Sequence, residues 1–282
     1  MTLVIAERKN NKISFCSDSR ISFGNQGHID FGIKVFSIPV KIYSPTDTST
    51  RRQTLDYDYK IGLAVIGSAM NAYLIKESIY EILQNLQYAP NWSNISMEKI
   101  ADIVFKIYKK TTSDLTQILL KNGVCELLLG GYCPEKNKIK VFHYSLEILE
   151  DRTIPKFEEI LENDNSILFY GSGKKSAEIV YNQNKNTIPL KILREIVKDE
   201  NITSVGGGLQ YGAFENRNFN IFGIEDYSLN RNGSFKEYLL TLRGITLYKG
   251  EFEIDMNDFH ISYNFLRPFA DEINQAFDIK PE

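Results

Sequence analysis

Two short runs near the start of the chain, TLVIAER (2–8) and KISFCSD (12–18), carry the apolar character of strands. Lys9-Asn10-Asn11 joins them, and Asn-Asn favours the left-handed backbone of a tight turn, so a β-hairpin is expected there. A third run, IKVFSIPVKIY (33–43), holds Pro39, which removes a ladder donor and predicts a bulge or a sheet edge. SPTDTSTRRQTLD (44–56) reads as a polar surface loop and YKIGLAVI (59–66) as a fourth strand.

The period then lengthens from two to about 3.6 residues. AMNAYLIKESIYEILQNLQ (69–87) places Ala72, Ile75, Ile79 and Ile82 three and four apart, an amphipathic helix. Ser96 suits the N-cap of a second long helix with Ile100, Ile103, Ile107 and Leu115 on its inner face. VCELLLGG (124–131), KIKVFHYSL (138–146) and ILFYGSG (167–173) predict strands, the first apolar enough to be buried on both faces. KKSAEIVYNQ (174–183) and PLKILREIVKD (189–199), the latter with Pro in its first turn, predict helices. Past Gly206-Gly207-Gly208 three strand runs follow: FNIFGIE (219–225), YLLTLRGITLY (238–248) and DFHISYNF (258–265). Strands, two helices, strands, two helices and strands, with no repeat and no Pro/Gly-rich linker, fit one domain of two sheets between two helical layers. Alternating βαβ units do not.

Composition narrows the function. The 282 residues, 43% hydrophobic and 24% charged, can bury a large core and argue against disorder. Lys plus Arg (33) nearly balances Asp plus Glu (36) without long like-charge blocks, so neither nucleic acid nor an anionic membrane is an expected partner. No apolar run approaches the ~18 residues of a membrane span. Residues 1–20 are broken by Glu7, Arg8, Lys9 and Lys12, unlike a signal peptide, so a cytoplasmic location is expected. Cys16, Cys125 and Cys133 are odd in number and lack metal-ligand spacing; they read as core thiols of a reducing compartment, with no metal and no cofactor implied.

His28, His143 and His260 stand in no triad or zinc context and read as structural. GSGKKS (171–176) departs from a phosphate loop, with Leu168 and Lys175 where Gly and Ser or Thr are needed, so nucleotide binding is not expected. SVGGGLQ (204–210) reads as a loop between helix and strand. Thr2 offers more. A terminal Thr is a small catalytic unit: the hydroxyl is the nucleophile, and the α-amine, with a typical pKa of about 7.7–8.0, accepts its proton. This requires loss of Met1, which a small second residue permits.

Thr2 has informative neighbours. TLVIAERKNNKISFCSDSR, followed by IKVF, AVIGSA, LLLGG and FYGSG, resembles the proteasome β-subunit family of N-terminal-nucleophile hydrolases, which includes the bacterial HslV peptidase. The likeness is strongest to Anbu-type members, through SDSR (17–20), KVFSIP (34–39) and SVG (204–206). It covers roughly residues 2–210, and the segment from about 211 reads as a divergent C-terminal extension of a single domain, 1–282. The resemblance implies an α/β (α+β) fold, a four-layer αββα sandwich. It makes Thr2 the nucleophile, Asp18 the carboxylate at the end of the second strand, and Lys34 the active-site lysine. A cationic Lys34 near the Thr2 hydroxyl favours the alkoxide, and Asp18 holds the ammonium. Lys41 in VKIYS competes for the lysine role, although spacing favours Lys34. Gly67 matches the glycine whose N–H forms the oxyanion hole, and Ser172 and Ser204 match the serines that position the terminal amine. Asn201 replaces the family's Asp before the second serine, with Asp199 two positions earlier. Pocket positions fall near Ile21, Gly32, Phe36, Val65, Ala69 and Tyr73, suiting a neutral or hydrophobic substrate side chain; core burial is the other reading of these residues.

The implied protein is a self-processed threonine peptidase or amidohydrolase acting on peptides or unfolded proteins, in a homo-oligomeric ring or stacked assembly. Some family members work with an ATPase unfoldase, and nothing in the sequence identifies one. Two other readings stay open: a catalytically inactive structural or assembly protein of the same fold, and a non-proteolytic amidohydrolase of small amides whose pocket is capped by 44–56 and the C-terminal region.

Overall fold

The hairpin forms as the Asn-Asn signal predicts. Strands β1 (Leu3–Lys9) and β2 (Lys12–Asp18) pair antiparallel across Asn10 and Asn11, at φ +52° and +59°. A two-residue turn that matches strand twist needs both residues left-handed, which Asn tolerates better than most. The computed structural model describes residues 2–23, 26–45, 53–89, 94–149, 153–229, 235–247 and 263–270.

After the hairpin come a small ribbon, β3 (Ile21–Ser22) with β4 (His28–Ile29), and then the long strands β5 (Val35–Tyr43) and β6 (Leu55–Gly67). Helix α1 (Ala69–Leu83), the short β7 (Leu86–Gln87) and helix α2 (Met97–Leu119) lead to β8 (Cys125–Cys133), β9 (Lys138–Ile148), β10 (Thr153–Ile160) and β11 (Ser166–Gly171). Helices α3 (Lys174–Gln183) and α4 (Pro189–Lys198) precede β12 (Leu209–Glu215), β13 (Asn218–Leu229), β14 (Phe235–Leu242), β15 (Ile245–Thr246) and β16 (Phe265–Leu266). The molecule is a mixed α+β fold dominated by two sheets. One runs β11-β1-β2-β12-β13-β14-β15, with β16 also pairing β13; the other runs β10-β9-β8-β6-β5-β7.

Three apolar clusters join these elements. Leu3, Ile5 and Leu209 pack with Leu190, Leu193 and Ile196 of α4. Val4, Ala6 and Phe15 face Ala64, Ile66 and Leu128 of the other sheet. Leu63, Val65 and Leu127 pack under Ala72, Ile75 and Ile79 of α1 and Val104 and Tyr108 of α2. Adjacent residues of β1 therefore serve different clusters, as the period of two requires. Pro39 lies in β5, which is an edge along most of its length because β7 pairs only with Ile42 and Tyr43; a register shift follows at Ile42/Tyr43.

Several expectations shift. Helix α1 ends at Leu83, and Leu83 rather than Ile82 completes its buried face, Ile82 being 41% exposed. Ser96 does cap α2, accepting the Lys99 N–H at 3.4 Å. The buried face of α2 is Met97, Ile100, Ala101, Val104, Tyr108, Thr112 and Thr116, with Ile103 and Ile107 at its margin. Thr112 and Thr116 are buried at little cost because their hydroxyls are bonded: Thr116 donates to the Thr112 carbonyl, and Thr112 accepts from Asn71. Counting only apolar residues rotates that face. YLLTLRGITLY breaks into β14 and β15 at Arg243-Gly244, both at positive φ. DFHISYNF lies outside the described residues up to 262; of its described residues, Phe265 is in a strand. Strands β10 and β12 have no counterpart in the hydrophobic reading. The first is a charged edge strand, and the second is interrupted by Gly212, into whose missing side chain Phe219 packs.

Candidate active site

The open end of the β1–β2 hairpin gathers the polar residues of interest. Thr2, only 2% exposed, precedes β1, and its neighbour Leu3 pairs with Gly171 at the end of β11. Gly171 has φ +91°, and a Cβ there would lie 2.2 Å from the Thr2 carbonyl oxygen. Only glycine lets β11 turn beneath Thr2 this closely. The next residues hold Thr2 from both sides: Ser172 Oγ accepts the Thr2 N–H at 3.2 Å, and the Gly173 N–H donates to the Thr2 carbonyl at 3.4 Å. Ser172 Oγ in turn lies 3.0 Å from Ser204 Oγ, so the two serines form one chain leading to the Thr2 nitrogen.

Asp18 closes β2 and is fully buried. Its Oδ1 accepts the Leu3 N–H at 2.9 Å and the Lys34 ammonium at 2.8 Å. Its Oδ2 accepts the N–H groups of Arg20 at 3.2 Å and Gly206 at 3.1 Å. Four donors thus converge on the two oxygens of this side chain and fill its accepting positions. Lys34 is 4% exposed, and burial pushes its pKa below the ordinary lysine value, against the raising pull of Asp18 and the more distant Asp30. Lys41, the competing lysine, sits along β5 opposite Asp58, away from this pair.

A second tier fixes the frame. Gln210, 1% exposed on β12, accepts the N–H groups of Lys34 at 2.9 Å and Val35 at 3.2 Å through Oε1. Its Nε2 donates to the carbonyls of Gly32 at 2.7 Å and Asp18 at 3.4 Å. Arg20 forms a bidentate pair with Asp30 at 2.7 and 2.8 Å and donates to the Thr203 carbonyl at 3.1 Å. The Arg20 hydrogen bonds hold the Asp30 carboxyl below its usual pKa. Ser19 Oγ accepts the Gly208 N–H at 2.8 Å and donates to the Asp30 carbonyl. Residues 203–208 are thus tied to the side chains of Asp18, Ser19 and Arg20 at three points.

Gly67 ends β6 at φ +91°, exposed, where a Cβ would meet the Val124 carbonyl at 2.7 Å. The preceding Ile66 packs against Gly171, so this turn adjoins the Thr2 segment. Among the pocket positions, Phe36 and Val65 are 5% exposed and belong to the cluster beneath α1 and α2. Tyr73 stacks edge-on against Phe36, and its hydroxyl accepts the Ile33 N–H and donates to the Ile33 carbonyl, bracing the residue before Lys34. Ile21 packs where a Gly32 side chain would stand, and Ala69 is half-buried at the start of α1. Asp199 accepts from both the backbone and the side chain of Asn201, a local turn contact.

The sequence reading did not single out Gln210, Arg20 or Asp30. Reading LQYGAFE as a strand would have placed Gln210 on the inter-sheet face with Phe214, an inward polar residue that needs partners. A cleft of about 860 Å³ opens at the other end of the sheets, beside the β1–β2 turn, and shares no residue with this cluster. His143 pairs with Glu126 at 2.7 Å, while His260 lies outside the described residues. The three cysteines are free and buried. No helix is long and apolar enough to cross a membrane, among the described residues.

No protein-family model matches the sequence, and no curated protein matches it either. Comparison of the fold does find similar solved structures, and they show an Anbu-type, proteasome-like fold. The chain is similar to Anbu (ancestral beta-subunit) from Yersinia bercovieri, with a TM-score of 0.52 and 16% identity over 78% of this chain and 86% of that one. It is similar to the helical assembly of the Anbu complex from Pseudomonas aeruginosa, at 0.50 and 14% over 76% and 81%. The Anbu (Gly-1) mutant from Hyphomicrobium sp. strain MC1 matches at 0.51 and 13% over 100% of this chain and 99% of that one.

Proposed function

We propose that the chain is a threonine hydrolase of the proteasome β-subunit type: one αββα domain, with the strands after about 211 completing a sheet, that cleaves peptide bonds through an acyl-enzyme at Thr2. The observation that carries this reading is the shared Asp18 oxygen, which bonds both the Leu3 N–H and the Lys34 ammonium and so sets a buried cation beside the Thr2 segment. In the unprocessed chain the Thr2 nitrogen is a peptide nitrogen and no base; cleavage after Met1 turns it into an amine beside Ser172 Oγ. The Thr2 hydroxyl attacks the substrate carbonyl, and its proton passes through a water to the amine and on to the leaving amine. Lys34 favours the developing alkoxide, Gly67 N–H stabilises the oxyanion, and a second water hydrolyses the ester and regenerates Thr2. Ser172 and Ser204 orient the amine. Ile21, Phe36, Val65, Ala69 and Tyr73 shape the pocket, directly or from beneath.

The Pseudomonas aeruginosa relative is a helical assembly, which supports a homo-oligomer for this chain, checked by light scattering on the purified protein. The catalytic reading is tested by intact mass and by labelling with an epoxyketone, which captures the hydroxyl and amine of a terminal Thr together. A mass lacking Met1 and an adduct absent from Thr2→Ala are expected. A full-length mass with no adduct overturns the reading and leaves an inactive assembly protein of this fold. Turnover of small acyl amides without peptide cleavage moves the substrate class and keeps the nucleophile.

A further inference from the structure

Asp18 and Lys34 belong to segments of different sheets: Asp18 ends β2 of one, and Lys34 immediately precedes β5 of the other. An ion pair that bridges two sheets is only as constant as the spacing between them. Its 2.8 Å contact is made at the tip of a side chain with four rotatable bonds, so some other contact must fix where the Lys34 backbone sits. Val65 N–H holds the Lys34 carbonyl to β6 at 3.0 Å, and the Gln210 side chain supplies the contact to the other sheet. Its amide bonds the main chain of both partners, accepting the Lys34 N–H and donating to the Asp18 carbonyl, while Val35 N–H and Gly32 O fill its remaining positions.

We infer that Gln210 is the positioning residue of the candidate site, a buried amide clamp that sets the distance between the Asp18 and Lys34 backbones and thereby holds the ammonium at its post. The inference rests on the hydrolase reading above and names a residue that reading does not use. Chemistry restricts the position to an amide. Two N–H donors meet one end of the side chain and two carbonyl acceptors the other, so a flipped amide would oppose donor to donor and acceptor to acceptor. A carboxylate would serve the Lys34 and Val35 N–H groups but turn its second oxygen on two carbonyls. An apolar residue would leave all four main-chain groups in the inter-sheet space without this partner.

Two variants test the clamp. Gln210→Met keeps the length and apolar stem but removes all four bonds; Gln210→Glu keeps the acceptor half and is the fallback if the first does not fold. On active-site-titrated enzyme, Gln210→Met is expected to lower kcat about 10–100-fold with KM nearly unchanged, as misplacement of a catalytic group by an ångström does. Gln210→Glu is expected to fall between it and the wild type. A purely structural residue would lower the melting temperature and leave kcat per folded site unchanged.

A second readout does not need activity. The Lys34 Nζ titration is followed by NMR on chains carrying lysine labelled at Cε, assigned with Lys34→Arg. The charged groups that act on Lys34 are Asp18, Asp30 and Arg20, with burial the largest influence. Loosening the clamp admits water, so Lys34, lowered in the wild type, is expected to move up toward an ordinary lysine in Gln210→Met, which adds no charge; the carboxylate of Gln210→Glu raises it by its own charge as well, so the titration is read on the Met variant. If the wild type neither turns over substrate nor labels at Thr2, the hydrolase reading fails and the Lys34 titration alone decides the clamp. Folded variants with wild-type kcat, or a folded Gln210→Met with an unmoved Lys34 titration, overturn it.

Discussion

Removing either half of the Asp18–Lys34 pair tests the electrostatic account of the site, and the two halves are expected to behave unequally. Asp18 is 0% exposed and the Lys34 side chain 5% exposed, so each charge depends on its partner. Lys34→Met leaves the carboxylate with three N–H donors, from Leu3, Arg20 and Gly206. Asp18→Asn is harsher than its size suggests. Both carboxylate oxygens face two donors, so whichever way the amide turns, its NH2 opposes either Leu3 N–H and the ammonium or Arg20 N–H and Gly206 N–H. Losing one member of a buried pair costs about 3–5 kcal/mol. We expect Asp18→Asn in that range and Lys34→Met at about 1–3 kcal/mol, since the remaining carboxylate keeps hydrogen bonds that offset part of its burial. The double variant removes both charges together and should cost about 1–3 kcal/mol less than the sum of the singles. Denaturant unfolding of the four proteins at one concentration measures this. Additive costs, or Lys34→Met costing more than Asp18→Asn, refute the reasoning.

Two further predictions concern the frame around the pair. Gly171→Ala forces a side chain into a left-handed backbone, at about 1–2 kcal/mol, and also places Cβ against the Thr2 carbonyl. Gly27, at φ +117° with nothing within 4 Å, provides the control; Gly171→Ala must destabilise more than Gly27→Ala in thermal melts, or the contact with Thr2 is not what demands glycine. Asp30 has a folded pKa held below its unfolded value by the Arg20 hydrogen bonds. Its contribution to stability is therefore fully present above the ordinary aspartate pKa of about 3.9 and is lost as pH falls through the lower folded value. The stability gap between wild type and Asp30→Asn should be flat above about pH 5 and close on acidification below the ordinary aspartate range. A gap that closes on going to higher pH contradicts this.

Much of the architecture was legible because it is local. The Asn10-Asn11 turn, the Ser96 cap, the Pro189 helix start and the apolar strand β1 each follow from a few neighbouring residues, and each forms at the expected place. The candidate site was legible in a different way, through the order of short motifs that resemble a family, and the structure brings Asp18, Lys34, Ser172 and Ser204 around Thr2 and Leu3. Where the reading went astray, burial was being decided by hydrogen bonds instead of hydrophobicity. Thr112 and Thr116 took the inner face of α2 because their hydroxyls found partners.

The sequence by itself determined the hairpin and the helices, since turn conformation and hydrophobic period are properties of short stretches, and it pointed to Asp18 and Lys34 only through the family resemblance. Only the tertiary structure decided which groups meet. Gln210 lies 176 residues from the Lys34 N–H it accepts and 192 from the Asp18 carbonyl it donates to. No local rule selects partners at such separations. They are selected because β12 inserts beside β2, the sheets face each other, and a polar side chain turned into the space between them must be satisfied there.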